Sequence, residues 1–212
     1  MVGKGDNTQF TVNVGGMHIG TPSGVVQSKN GDLYFTEPNQ HVVLKAVYDK
    51  DEGTWSNVVI VAGTGDPDMG DDNTDATLSA LKTPVHLSLI EDDAGEVIAL
   101  IIVDRGNHRI RKVDMTSTPK IITTIAGNGQ QGDSGDSELA TSAKLNNPNY
   151  AYYDKSSGDI FVADMQNHKI RRIFKSDTPL RPLRARFVQV STRLAMVVRP
   201  LMLALVIQHF SQ

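Results

Sequence analysis

Along residues 1–174, short apolar runs rich in Val, Ile, Leu, Tyr and Phe are separated by turns rich in Gly, Asn, Asp and Pro. Their length and spacing predict strands rather than helices. Gln9 to Val14 alternates and reads as a strand closed by Gly15-Gly16. Pro22-Ser23-Gly24 leads into a strand at Val25-Val26, and Asn30-Gly31-Asp32 reads as a type I′ hairpin turn before Leu33-Tyr34-Phe35. Val42 to Tyr48, a turn at Asp49 to Gly53, and Val58 to Ala62 complete a first group of four. Pro84 then opens a second group: Val85 to Leu89, an acidic hairpin loop at Glu91 to Gly95, Val97 to Val103, Arg109 to Val113, and Ile121 to Ala126. Val97 to Val103 is almost continuously apolar, as a strand buried on both faces should be. Pro148 opens a third group, with strands at Tyr150 to Tyr153, Ile160 to Val162 and Lys169 to Phe174, after which the pattern stops.

The groups are copies of one another. Asp104-Arg105-Gly106-Asn107-His108-Arg109-Ile110-Arg111 recurs as Asp164-Met165-Gln166-Asn167-His168-Lys169-Ile170-Arg171, and more weakly as Glu37-Pro38-Asn39-Gln40-His41-Val42-Val43-Leu44. The connecting segments repeat too. Ala62 to Ala76 and Ala126 to Ala140 are both 14 residues apart, and Ala76 to Pro84 and Ala140 to Pro148 are both eight. A four-stranded antiparallel unit repeated every ~60–68 residues predicts the blades of a β-propeller, each burying its faces against its neighbours. The expected architecture is all-β: an incomplete ring of about three four-stranded blades, near 22–65, 84–129 and 148–174, with a non-repeat tail at 175–212.

The Asn-His-Arg/Lys-Ile-Arg copies with Asp three residues earlier resemble NHL repeats. So do the Gly-Asp-Ile/Leu-Tyr/Phe segments before them and the Ile-Ala-Gly-x-Gly closure after. The resemblance runs from Thr8 to Phe174, and the first copy departs from it at Glu37 and Gln40. It implies propellers, six-bladed or similar, that mostly bind other molecules. Some relatives bind RNA, and some related propellers are lyases or lactonases.

Composition narrows the chemistry. There is no cysteine among 212 residues, which removes disulfides, thiolate metal sites and cysteine nucleophiles. Met1 to Phe10 has no apolar core and does not read as a signal peptide, which tilts the compartment towards the cytoplasm. The net charge of −3 is uneven: the tail carries six basic residues and one acid, leaving −8 on residues 1–174. An acidic repeat region is a poor footprint for nucleic acid.

Each cluster of chemically capable residues has a structural reading. Asp104, Asn107 and His108, Asp164, Asn167 and His168, and Glu37, Gln40 and His41 are expected in turns, the acid and amide bonding turn backbone and the histidine satisfying a buried carbonyl. A repeat spreads such residues round a ring instead of converging them. Arg109, Arg111, Lys112, Lys169, Arg171 and Arg172 read as solvated strand faces. Asp66, Asp68, Asp71, Asp72 and Asp75 read as a solvated loop, since their spacing does not match a calcium loop. Gly127-Asn128-Gly129, Gly132 and Gly135 open no helix and do not read as a phosphate cradle. His18 and His86 are the histidines outside the signature before the tail, and His86 is the better candidate for a channel-facing position. No catalytic residue, metal or cofactor is expected. The expected role is a binding or scaffold module engaging a protein or small ligand through propeller loops. The alternatives are a fragment of a metal-dependent lyase or lactonase, and an RNA-binding propeller.

The tail breaks the pattern. Leu194 to Ile207 is strongly apolar but short for a membrane helix, with Arg199-Pro200 in its middle. It has no polar face for an amphipathic helix. A frame-shifted translation of the next repeat accounts for it better. Starting each codon on the third base of the preceding one permits Gly-Asp-Gly-Gly-Pro-Ala-Thr-Asn-Ala-Ser-Leu-Ser-Tyr-Pro, which resembles the connecting segment Ala140 to Pro148. Its Ala-Thr falls 33 residues after Asn167, as Ala140 does after Asn107.

Overall fold

The structure, a computed structural model, describes residues 19–175. The strand expected at Gln9 to Val14, His18, and the expectations for the tail beyond Lys175 lie outside that range. Within it, the strands pair antiparallel in three sheets. β1 (Val25–Gln27), β2 (Leu33–Glu37), β3 (Val42–Asp49) and β4 (Thr54–Ala62) form the first, in chain order. The second holds β6 (Pro84–Glu91), β7 (Val97–Asp104), β8 (Arg109–Asp114) and β9 (Ile121–Ala126), with the two-residue β5 (Thr74–Asp75) added outside β9. The third holds β10 (Tyr150–Tyr153), β11 (Ile160–Asp164) and β12 (Lys169–Ile173). Among the described residues there is no α-helix and no closed ring.

Local chemistry sets the hairpins. Gly31 has φ +96° while Asn30 is not in the left-handed region, and Gly31 N–H bonds the Ser28 carbonyl at 2.9 Å. The turn is therefore a three-residue loop with glycine in the bulge position, not the expected type I′. The β6–β7 loop repeats it, with Gly95 at φ +90°. β4 begins at Thr54, earlier than the apolar run at Val58. The Trp55 indole N–H reaches the Gly31 carbonyl at 2.8 Å and its ring packs on Tyr48, extending the pairing into polar sequence.

The cores lie between sheets. Leu100 and Ile102 of β7 pack with Tyr34, Val43, Ala76 and Leu81 on the first-sheet side. The alternate residues Ile101 and Val103 pack with Leu145, Ala151, Val162 and Ile173 on the third-sheet side. This period-2 division is why β7 carries no polar position until Asp104. All four β7 side chains are fully buried, and each such burial contributes about 1.5–3 kcal/mol.

The connecting segments are packed components of these cores. Ala76 and Leu81 fill the space between sheets one and two, and Ala140 and Leu145 that between two and three. The equal spacings in sequence close equal loops: Gly63 N–H bonds the Ala76 carbonyl and Gly127 N–H the Ala140 carbonyl, both at 2.9 Å. Gly63 and Gly127 have φ of +95° and +84°, and a Cβ on either would collide with the carbonyl of His41 or His108. Glycine is required at both.

Candidate functional site: the signature turns and the inner-strand face

Each signature turn starts where a strand ends. The chain leaves β7 at Asp104, makes one 3-10 turn at Arg105–Asn107, and reverses through His108 at φ 53°, ψ 39°. Met165–Asn167 and His168, at φ 53°, ψ 40°, repeat this geometry, and His41 has φ 57°.

The acid of each turn accepts backbone N–H groups from the segment leading into its own sheet. Asp104 Oδ1 takes Lys82 N–H at 2.7 Å, and Asp164 Oδ1 takes Asn146 N–H at 2.7 Å. Glu37, one methylene longer, takes Gly20 and Thr21 N–H, both at 3.1 Å. The second oxygens of the aspartates accept from Asn107 and Asn167 at 2.9 and 2.8 Å. Those amides also reach the carbonyls of Asp68 at 2.8 Å and Gly132 at 2.7 Å. The amide partner is thus the connecting segment rather than the turn backbone. Gln40 occupies the matching position in the first turn.

The histidines join one sheet to the next. His41 Nδ1 accepts Thr83 N–H, and His108 Nδ1 accepts Asn147 N–H, each at 3.1 Å. The ring is an acceptor from N–H, not the donor to a carbonyl that the sequence suggested. Burial lowers the pKa of both rings, which keeps Nδ1 free of a proton to accept that bond.

Two arginines overturn the expectation of solvated strand faces. Arg111 and Arg171 are fully buried. Arg111 bonds the Asp71 carbonyl at 2.9 Å and Asp72 Oδ1 at 3.0 Å, with Asp104 at 3.8 Å. Arg171 bonds Asp133 Oδ1 at 2.7 Å and the Ser134 carbonyl at 3.1 Å, with Asp164 at 3.0 Å. Each guanidinium thus ties a connecting segment to a signature aspartate. The acidic loop is correspondingly not merely solvated: Asp72 pairs with Arg111, and Asp75 lies in β5, paired to Ile121. Lys169 pairs with Asp133 at 2.6 Å, and Arg172 with Asp159. Burial pushes Asp104 up to about 6 against the pull of its hydrogen bonds and Arg111, and burial raises Asp164 likewise. No group of three or more His, Asp or Glu side chains that could hold a metal converges among the described residues.

His86 lies elsewhere, on β6. The first strands β1, β6 and β10 lie side by side: a Cβ on Gly24 would press on the His86 backbone, and Ser88 Oγ–H donates to the Ala151 carbonyl of β10. Their common face forms a groove of about 340 Å³ lined by Val25, Gln27, His86, Glu91, Tyr150 and Tyr152. The His86 ring lies 3.7 Å from the Tyr150 ring, centre to centre. Burial lowers its pKa to about 4, and its buried Nδ1 has no hydrogen-bond partner among the described residues. Val25, Tyr150 and Tyr152 stay 65%, 49% and 52% exposed. The face therefore offers a neutral imidazole and two half-exposed phenol rings rather than an acid–base pair. Sequence reading singled out His86 but missed the tyrosines. Alternation along Tyr150-Ala151-Tyr152, with Ala151 buried, is the signal that carries them.

This all-β arrangement of laterally packed antiparallel sheets is of propeller type. It is similar to an auxiliary nutrient binding protein from Bacteroides thetaiotaomicron VPI-5482, with 26% identity and a TM-score of 0.58, covering 70% of this chain and 36% of that one. It is also similar to an auxiliary nutrient binding protein from Bacteroides ovatus ATCC 8483, with 23% identity and a TM-score of 0.59, over 70% of this chain and 36% of that one. The chain thus spans little more than a third of the length of these structures. No family model matches it, and no curated protein matches it.

Proposed function

We propose that the chain is part of an NHL-type propeller and acts as a non-catalytic binding module for a protein or small ligand. The observation carrying this reading is how the signature groups are used. Asp104, Asp164 and Glu37 accept backbone N–H groups, and His41 and His108 hold the neighbouring sheet. Groups committed to internal bonds are not available for acid–base work. The face left for recognition is the groove of β1, β6 and β10, with the adjoining hairpin loops. Its half-exposed tyrosines supply large contact area at low conformational cost. A metal-dependent lyase or lactonase and an RNA binder have no specific observation in their favour here, since the buried arginines already have partners.

The test is hydrolysis of phenyl acetate and δ-valerolactone by the full chain, with and without Ca²⁺ or Zn²⁺. No turnover above buffer is expected. Metal-dependent turnover that disappears in Asp104→Asn or His86→Gln would overturn the reading. In parallel, calorimetric titration with N-acetyltryptophanamide should give binding weakened about tenfold by Tyr150→Ser, the scale of one lost aromatic contact.

A further inference from the structure

Blades one and two each present a forward face that the next sheet covers. In the first sheet Tyr34, Thr36 and Val43 are buried there. In the second, Ile101, Val103 and Ile110 are fully buried against sheet three and its leader. The matching residues of the third sheet are Phe161, Ala163 and Ile170, none of them buried, with Ile170 44% exposed. His168 repeats the backbone geometry of His108 but is exposed, and among the described residues no donor meets its Nδ1. β12 likewise lacks, among the described residues, the fourth strand that β9 provides for β8.

What fills the equivalent surface is visible twice. Ala76 and Leu81, five residues apart, enter the core behind Val43, and Ala140 and Leu145, five apart, enter the core behind Ile110. Ala143 is also fully buried, and Asn147 N–H then closes on His108. The occupant of the third face should therefore carry alanine 30 residues after Ile170, a second alanine three further on and leucine five further on.

We infer that the forward face of the third sheet is the docking surface for a leader segment encoded by this chain's own codons 194–208, read in the adjacent frame. That frame permits Gly-Asp-Gly-Gly-Pro-Ala-Thr-Asn-Ala-Ser-Leu-Ser-Tyr-Pro at positions 195–208. Its first alanine falls at 200, its second at 203 and its leucine at 205, all three at the required spacing. Two positions constrain the match strongly. Met196 before Val197 forces glycine, because ATG followed by GTN reads GGT in that frame. Met202 before Leu203 gives the buried-type alanine when the leucine codon is CTN. The residue at 207 then stands 39 after His168, as Asn147 stands after His108. The frame changes between position 175, where the repeat ends, and 194. The inference rests on the propeller reading above, but its tests read coding sequence and stability, not ligand binding.

The coding DNA is the first test. Alanine and threonine at 200–201, leucine at 205, proline at 208 and no stop through 212 are expected in the adjacent frame; a stop codon or other residues at those positions overturns the inference. The second compares the full chain with one whose frame is restored by a single nucleotide inserted between codons 187 and 194. Restoration should raise the melting midpoint by about 5 °C or more. Ile170→Asp should lower the restored chain by about 5 °C and leave the original within about 1 °C. Equal shifts in both chains would overturn the inference.

Discussion

The first and second signature turns make the same backbone connections with different residues. Glu37 and His41 do what Asp104 and His108 do: the carboxylate takes N–H groups from its own leader and the imidazole takes one from the next. Three residues past the histidine the two part company. Arg111 in the second sheet is buried among Asp71, Asp72 and Asp104. Leu44 in the first is buried among Phe35, Val42, Ala46 and Val58. The carboxylate and imidazole are thus demanded by the backbone, whose orphan N–H groups are costly wherever they fall. The arginine is demanded only where an acidic connecting segment must be held down.

The largest expected effect separates these two demands. Asp104→Ala leaves Lys82 N–H and Asn107 without their acceptor and strands the Arg111 charge in the interior. A loss of about 3–5 kcal/mol is expected, read as a fall in the urea midpoint. Glu37→Ala removes a carboxylate with no arginine beside it, and should cost only ~1–2 kcal/mol. Equal losses would mean that the arginine adds nothing to the second turn.

Converting one turn towards the other comes next. Arg111→Leu gives the second sheet the first sheet's residue but leaves Asp104 and Asp72 unpaired, for a cost of about 3 kcal/mol. Arg111→Leu with Asp104→Asn should cost less than the sum of the single changes by ~1 kcal/mol or more, because the two groups form one network. Additive losses in a double-mutant cycle would show that the 3.8 Å separation carries no coupling.

These differences also show what the sequence could reveal. Strand positions were legible because period-2 alternation and glycine turns act locally, and β7 advertised its double burial by eight residues without a charge before Asp104. The partners of the signature were not legible. Thr83 and Asn147 lie about 40 residues from their histidines, and they contribute backbone, which has no sequence signature. Arg111 and Arg171 look like surface residues because arginine is rarely buried; only the acids at Asp72 and Asp133, 39 and 38 residues earlier, hint otherwise. Tyr150 and Tyr152 became candidate contacts only once β10 was seen beside β6.

A smaller effect tests whether the two histidine links are equivalent. His41→Ala and His108→Ala each leave one backbone N–H unpaired in a partly buried site, at ~1–2 kcal/mol apiece. The pair should agree within ~0.5 kcal/mol in urea unfolding. His168→Ala should lie within about 0.5 kcal/mol of the unaltered chain. A loss at His168 equal to that at His108 would mean that the third link is already made.

The smallest effect is on the slope of stability with pH, and it sets the buried turn of sheet two against the groove. Asp104 titrates in the folded protein at about 6, above its ordinary 3.8. Its contribution is complete below 3.8 and is lost as pH rises through about 6. His86 titrates at about 4, below its ordinary 6.5. Its contribution is complete above 6.5 and is lost as pH falls through about 4. Between pH 4 and 6 the folded state binds the extra proton at Asp104 and the unfolded state binds it at His86, so the two slopes oppose. His41 and His108 share the sign of His86, and Asp164 shares that of Asp104. Melting midpoints at pH 4.5 and 6.5 separate them. His86→Phe should tilt the profile towards greater relative stability at the lower pH, and Asp104→Asn towards greater relative stability at the higher. If both variants tilt it the same way, one of the two burials does not govern its group's proton affinity. Comparison with His41→Ala then shows whether the histidine side of the balance belongs to the groove or to the links between sheets.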